Sequence, residues 1–140
     1  MEKGFCFVCG SNNNLGLKLT FELDRENLQA SCTTVTSKEH QGWDGVVHGG
    51  IIASMLDGSM VYACKSIDLV CFTAELTVRY KKPVPINKQV EIIATVKDQR
   101  KWMSYTVIYT EAIMKMDNTI AAKAKAKMFA KRKIKMREMV

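Results

Sequence analysis

The chain has 140 residues, 47% of them hydrophobic, and a formal net charge of +7. That length suits a single domain over 1–140 with a real core and a basic tail from about 131. No run of about 18 uncharged apolar residues occurs, which excludes a membrane-spanning helix. Met1-Glu2-Lys3-Gly4-Phe5-Cys6 lacks the apolar core of a secretory leader, so the expected location is the cytoplasm. Five cysteines, Cys6, Cys9, Cys32, Cys64 and Cys71, odd in number and scattered in spacing, point to reduced thiols rather than a disulfide framework.

Gly10-Ser11-Asn12-Asn13-Asn14 is a turn cluster. Leu15, Leu17, Leu19, Phe21 and Leu23 then alternate, which predicts a first strand over 15–23. Asp24 to Asn27 supplies a turn, and Leu28, Ala30, Cys32 and Thr34 continue as a second strand. Residues 36–47 form a polar, glycine-containing loop. From Gly49 to about Lys65 the proline-free stretch of small and straight-chain residues predicts a helix. Its apolar positions spread round most of the wheel, which marks a buried helix. Strands follow at 70–80 and 90–96, separated by Pro83-Val84-Pro85, which holds the only two prolines and marks a break or an edge. Asp98 to Lys101 reads as a hairpin turn, Trp102 to Ile113 as a strand and Asp117-Asn118 as the next turn. In the last strand, 120–130, Ala122, Ala124 and Ala126 alternate with Lys123, Lys125 and Lys127. The fold class is therefore α+β, with a curved antiparallel sheet wrapped around one long central helix.

Two features carry chemistry. Asp57 lies mid-helix among Ala53, Met60, Val61 and Cys64. A carboxylate in apolar company is costly unless paired or used, and a desolvated one suits a general base. The alternative is that Asp57 reaches solvent or a subunit seam and pairs with a lysine. The second feature is His48-Gly49-Gly50, which leads directly into the helix. The first N–H groups of a helix lack internal partners and favour negative charge, and glycines let a ligand approach the backbone. That is an oxyanion hole in outline. The alternative is that the glycines only relieve crowding, and His48 is read as bracing the loop rather than acting as a base. Gly49 and Asp57 lie eight residues apart on one helix, about 12 Å along its axis. If they cooperate, they do so across a dimer interface.

The string His48-Gly49-Gly50-Ile51-Ile52-Ala53-Ser54-Met55-Leu56-Asp57 resembles the motif of hotdog-fold acyl-CoA thioesterases of the PaaI type. Cys6-Phe7-Val8-Cys9-Gly10 with Leu15-Gly16-Leu17 resembles the start of a subgroup of these proteins. Thr73 to Pro85 resembles the family's strand after the helix and its proline-bearing turn. The resemblance implies a hotdog fold, a homodimer that pairs into a homotetramer, and active sites at the dimer seam. It implies that Asp57 is the nucleophile or the general base and that the Gly49 N–H polarises the thioester carbonyl from the opposite subunit, with Gly50 beside it. His48 would support the loop, and Thr73 would orient the water. Relatives often carry an asparagine or glutamine before the histidine. Here Gly42 stands at the asparagine position, so Gln41 next to it takes the role, with Asp44 as a second candidate.

The phosphates of coenzyme A call for a basic path. Lys81 and Lys82, which follow the strand, and Arg100 and Lys101, in the expected turn, are the candidates. Coenzyme A is part of the substrate, so no separate cofactor is expected. Met55, Met60, Tyr62 and Trp43 are candidates to shape the acyl pocket. Cys6 and Cys9 resemble half a zinc site but lack a second pair, so a packed N-terminal turn is expected and no metal. The leading reading is hydrolysis of an acyl-CoA to a free acid and CoA. The alternative is a non-catalytic acyl-CoA binding or sensing protein on the same fold. Nucleic acid is not an expected partner, because the aromatics are not interleaved with the basic residues.

Overall fold

Every second residue along the last two strands is buried, and this alternation sets which face of the sheet receives the helix. Residues 4–130 of the computed structural model are described; the basic tail expected from about 131 lies outside them. The strands are β1 (Glu22–Asp24), β2 (Gln29–Val35), β3 (Phe72–Tyr80), β4 (Gln89–Trp102), β5 (Tyr105–Met116) and β6 (Thr119–Ala130), with a helix α1 (Gly49–Lys65) between β2 and β3. They form one six-stranded antiparallel sheet in the order β1-β2-β4-β5-β6-β3. Ile108, Thr110, Ala112 and Met114 of β5 and Ala122, Ala124, Ala126 and Met128 of β6 are buried, while Lys123 and Lys125 face outward.

The curved sheet wraps α1, which contributes Ile52, Met55, Leu56, Met60, Ala63 and Cys64 to the core. Full burial of a Leu or Met side chain is worth about 1.5–3 kcal/mol. The alanines of β6 keep the facing layer thin enough for these larger residues to reach it. This is the α+β arrangement of a sheet around a central helix that the sequence predicts, and α1 has the predicted bounds. Among the described residues no helix is long and apolar enough to cross a membrane.

Two elements differ from expectation. Of the predicted strand over 15–23 only Glu22 and Leu23 enter the sheet, as part of β1. Lys18 adopts a left-handed conformation, φ 55°, which interrupts the extended run. Residues 17–19 instead pair with the N-terminal turn, through Leu17 N–H to Phe7 O at 2.7 Å and Leu19 N–H to Val8 O at 2.8 Å. Leu19 is buried and Leu17, Phe21 and Leu23 pack against the core, but Leu15 is 83% exposed.

The predicted turn at Asp98 to Lys101 is also absent. β4 continues to Trp102, and the chain reverses at Met103, φ 57°. A bulge between Val96 and Asp98 precedes a stretch exposed throughout, so the polar run marks a ribbon lying in solvent rather than a reversal. The turn at Asp117-Asn118 forms as predicted. Both residues have positive φ, 51° and 62°, as a tight two-residue hairpin turn requires.

Candidate active site

The loop before α1 is tied to itself and to the proline turn. Val47 N–H donates to Val84 O at 2.8 Å, His48 N–H to His40 O at 2.9 Å, and Gly42 N–H to Val46 O at 2.9 Å. These bonds fix His48 as the cap of the helix. Its ring Nδ1 accepts the Gly50 N–H at 2.8 Å, and its carbonyl accepts the Ile51 and Ile52 N–H groups at 3.0 and 3.1 Å. The two glycines thus differ. The Gly50 N–H is committed to His48, whereas the Gly49 N–H meets no acceptor among the described residues.

The other side of the Gly49 residue is held. The Tyr80 hydroxyl, at the end of β3, donates to Gly49 O at 2.7 Å. Nothing in the sequence links Tyr80 to Gly49, 31 positions apart, and the reading of the sequence missed it. Gly49 borders a cleft of about 410 Å³ with Gly42, Trp43, Val47 and His48. It also borders a second cleft of about 270 Å³ whose lining includes Tyr80, Lys81, Lys82 and Pro83.

Asp57 lies two turns further along α1 and is half-buried. The Thr73 hydroxyl, at the start of β3, donates to Asp57 Oδ1 at 2.6 Å. A β-bulge between Thr73 and Glu75 interrupts the pairing with β6 at this point, and bulges re-aim side chains next to sites. The structure therefore brings Asp57 to Thr73 and Gly49 to Tyr80, at opposite ends of β3. The continuous helix keeps Asp57 and Gly49 about 12 Å apart within one chain.

The remaining candidates fall as follows. Gln41 Oε1 accepts the Gly45 N–H at 3.0 Å inside its own loop, and Gly42 and Trp43, not Gln41, line the cleft beside Gly49. Asp44 is exposed and lines neither cleft. Lys81 and Lys82 border the cleft at Gly49, but Arg100 and Lys101 line a different one of about 260 Å³ with Leu69 and Thr106. Arg100 is turned toward Asp98, Nε to Oδ2 at 3.0 Å. Met55 and Met60 are fully buried, Tyr62 stacks on Phe21, and of the four pocket candidates Trp43 alone lines the clefts at Gly49. Among the described residues, no three or more His, Cys, Asp or Glu side chains come together as a metal site.

Residues 44–108, which include Gly49, Asp57, Thr73 and Tyr80, match the Thioesterase superfamily profile. The match covers less than half of the chain. Acyl-coenzyme A thioesterase THEM4 of Rattus norvegicus is 25% identical over 114 residues, which cover 79% of this chain and 49% of the rat protein. The Mus musculus protein of the same name is 33% identical over 82 residues, covering 51% of this chain and 35% of the mouse protein. The chain thus spans about half the length, or less, of these curated relatives. Among solved structures, a thioesterase superfamily protein superposes with a TM-score of 0.80 at 22% identity, covering 91% of this chain and 60% of that one. A Streptococcus mutans UA159 protein bound to acetyl CoA superposes at 0.69 and 19% identity, covering 84% of this chain and 91% of that one. At these identities the likeness is one of fold, and the fold is the hotdog fold.

Proposed function

We propose that this chain hydrolyses an acyl-CoA thioester to a free carboxylic acid and CoA, as a homodimer that pairs into a homotetramer. The observation that carries the reading is the Thr73–Asp57 hydrogen bond at one end of β3. It is joined by the unclaimed Gly49 N–H at the other end. β3 is an edge strand and most of its residues are exposed, Phe72 by 73%. An open, largely apolar edge is a ready template for a second chain. Antiparallel pairing of two β3 strands about Leu76 and Thr77 sets Thr73 of one copy opposite Tyr80 of the other. The Asp57–Thr73 half of one chain then meets the Gly49–Tyr80 half of its partner copy, and each dimer holds two complete sites.

In such a site the thioester carbonyl oxygen accepts the Gly49 N–H at the positive end of the helix. Asp57 either takes a proton from water, whose oxygen attacks the carbonyl carbon, or attacks the carbon itself to give a mixed anhydride that water cleaves. Either way the C–S bond breaks, CoA leaves as its thiolate and takes up a proton, and the acid is released. Thr73 orients Asp57 and the water. His48 holds the loop by capping Gly50, and Lys81 and Lys82 meet the nucleotide phosphates. Arg100 and Lys101 join that path only if they are supplied by another copy of the chain. The five unpaired thiols support a cytoplasmic location. Acyl-CoA thioesterase relatives and an acetyl CoA-bound structural neighbour support the substrate class.

The test is release of CoA from a panel of acyl-CoAs, followed with a thiol reagent. Asp57→Asn is expected to lower kcat by about 100-fold or more, and wild-type turnover in Asp57→Ala would overturn the mechanism. The engagement of Gln41 by Gly45 favours one other reading, a non-catalytic acyl-CoA binder. Tight binding with no turnover across the panel would select it.

A further inference from the structure

The N-terminal turn carries a second cluster of reactive groups that hydrolysis leaves unused. Cys6-Phe7-Val8-Cys9-Gly10 closes on itself, with Gly10 N–H donating to Cys6 O at 2.8 Å and Asn12 N–H to Gly4 O at 2.7 Å. A Cβ on Gly10 would fall 2.5 Å from Cys6 N and from the Gly4 carbonyl, so only glycine lets the turn close this tightly. The turn is seated on α1. Val8 fills the space above Gly58, where a Cβ would meet Val8 Cγ1 at 2.6 Å.

Gly58, Tyr62 and Lys65 follow at i, i+4 and i+7 and share one helix face. Tyr62 is clamped between Phe21, whose ring centroid lies 4.4 Å away, and Lys65, whose Nζ lies 4.0 Å over the ring. Onto this base the turn places its two thiols. The closed turn sets Cys6 and Cys9 side by side, close enough to Tyr62 and Lys65 for each to influence the other's charge. Cys6 is exposed and Cys9 half-buried, while Cys32, Cys64 and Cys71 are buried. The packed turn expected from the sequence is present, but it displays its thiols rather than sequestering them.

We propose that Cys6 and Cys9 form a thiol–disulfide exchange site, in which Cys6 attacks a low-molecular-weight disulfide and Cys9 resolves the adduct. The Cys6 thiolate attacks one sulfur of the disulfide RSSR, giving Cys6–S–S–R and releasing RS⁻, which takes up a proton. Cys9 then loses its proton and attacks Cys6 Sγ. The Cys6–Cys9 disulfide forms and the second RS⁻ leaves, to be protonated in turn. Two protein thiols are oxidised and one RSSR is reduced to two RSH.

The electrostatics separate the two roles. At Cys6, burial acts against the thiolate, but the Cys9 and Val8 N–H groups, the Cys9 thiol and the Lys65 ammonium outweigh it and hold Cys6 below the ordinary thiol value. At Cys9, burial dominates and the proton is held more firmly. Reactive cysteines sit in such electropositive, accessible places. Elsewhere, burial pushes Cys32 up to about 11, and a hydrogen bond from Cys71 together with burial pushes Cys64 far higher. Exchange is therefore confined to the turn. Two thiolates fill only half of a tetrahedral zinc shell, and no third His, Cys, Asp or Glu ligand joins them among the described residues.

The experiment exposes the reduced full chain to oxidised glutathione at neutral pH under native conditions, quenches with an alkylating reagent and maps the products by mass. Wild type is expected to lose two thiols to a Cys6–Cys9 disulfide, with Cys32, Cys64 and Cys71 still free. Cys9→Ser is expected to trap one glutathione on Cys6, and Cys6→Ser to react about tenfold more slowly or worse. A wild-type chain that keeps both thiols free while a simple thiol exchanges would overturn the proposal. So would equal rates for the two serine variants, or stoichiometric zinc shielding the pair from the reagent. None of these readouts depends on thioester hydrolysis.

Discussion

Replacing Thr73 by valine tests the candidate site at its best-defined contact. Valine matches threonine in shape and β-branching, so β3 keeps its backbone and only the hydroxyl is lost. The bond removed is 2.6 Å long and ends on a half-buried carboxylate. A hydrogen bond to a charged group contributes about 1.5–3 kcal/mol. At about 1.4 kcal/mol per decade of rate, full loss corresponds to roughly 10- to 100-fold in kcat. Both partners are partly open to solvent, so water replaces some of the interaction and the lower end, about tenfold, is the expected result. In the proposed site the hydroxyl meets the carboxylate that does the chemistry rather than the CoA arm, so KM is expected to stay within about twofold. Steady-state kinetics on the best acyl-CoA measures both, with thermal unfolding as a control for the fold. An unchanged kcat in a folded Thr73→Val protein would refute the orienting role. A raised KM alone would move Thr73 from the reacting centre to substrate binding.

Other substitutions probe the other parts. Tyr80→Phe removes the donor to Gly49 O; it should cost less than about 1 kcal/mol of stability at this exposed bond and lower kcat several-fold, read by denaturant titration beside kinetics. Leu76→Lys places a charge at the centre of the open β3 edge; light scattering should show dissociation to monomers, and turnover should fall with it. Cys32 titrates near 11 in the folded chain because it is buried, against 9.0 as its ordinary value. A raised value means that the folded chain holds a proton the unfolded chain gives up, so this contribution is intact below pH 9 and is lost as pH rises toward 11. Wild type should therefore lose Tm across that window more steeply than Cys32→Val.

The helix was legible residue for residue because its composition, its apolar wheel and its His48-Gly49-Gly50 start all agree. The β6 face was legible because Ala and Lys alternate without interruption. Residues 15–21 misled because apolar alternation reports which side chains turn inward, not what the backbone pairs with. Leu17 and Leu19 turn inward, yet their N–H groups bond the N-terminal turn. Asp98 to Lys101 misled because a hairpin that outruns its helix is polar on both faces, as a loop is. In the candidate site, Asp57 stood out by its apolar company. Its meeting with Thr73 depends on a bulge in β3 that no local pattern announces. Tyr80 was invisible because its partner is a backbone carbonyl, and any residue supplies one.

The two rims of the sheet are unequal. β1 is three residues long, whereas β3 is nine. A sheet with two long open rims has no natural end, since each added copy presents the same invitation again. Here the short rim offers too few backbone groups to hold a neighbour, and the proposed β3 pairing would use up the long rim with one. Strand-to-strand assembly through β3, as proposed, would therefore be self-terminating. Two copies so paired would give a ribbon of twelve strands among the described residues, with two blunt ends, and any larger assembly would have to be made face to face.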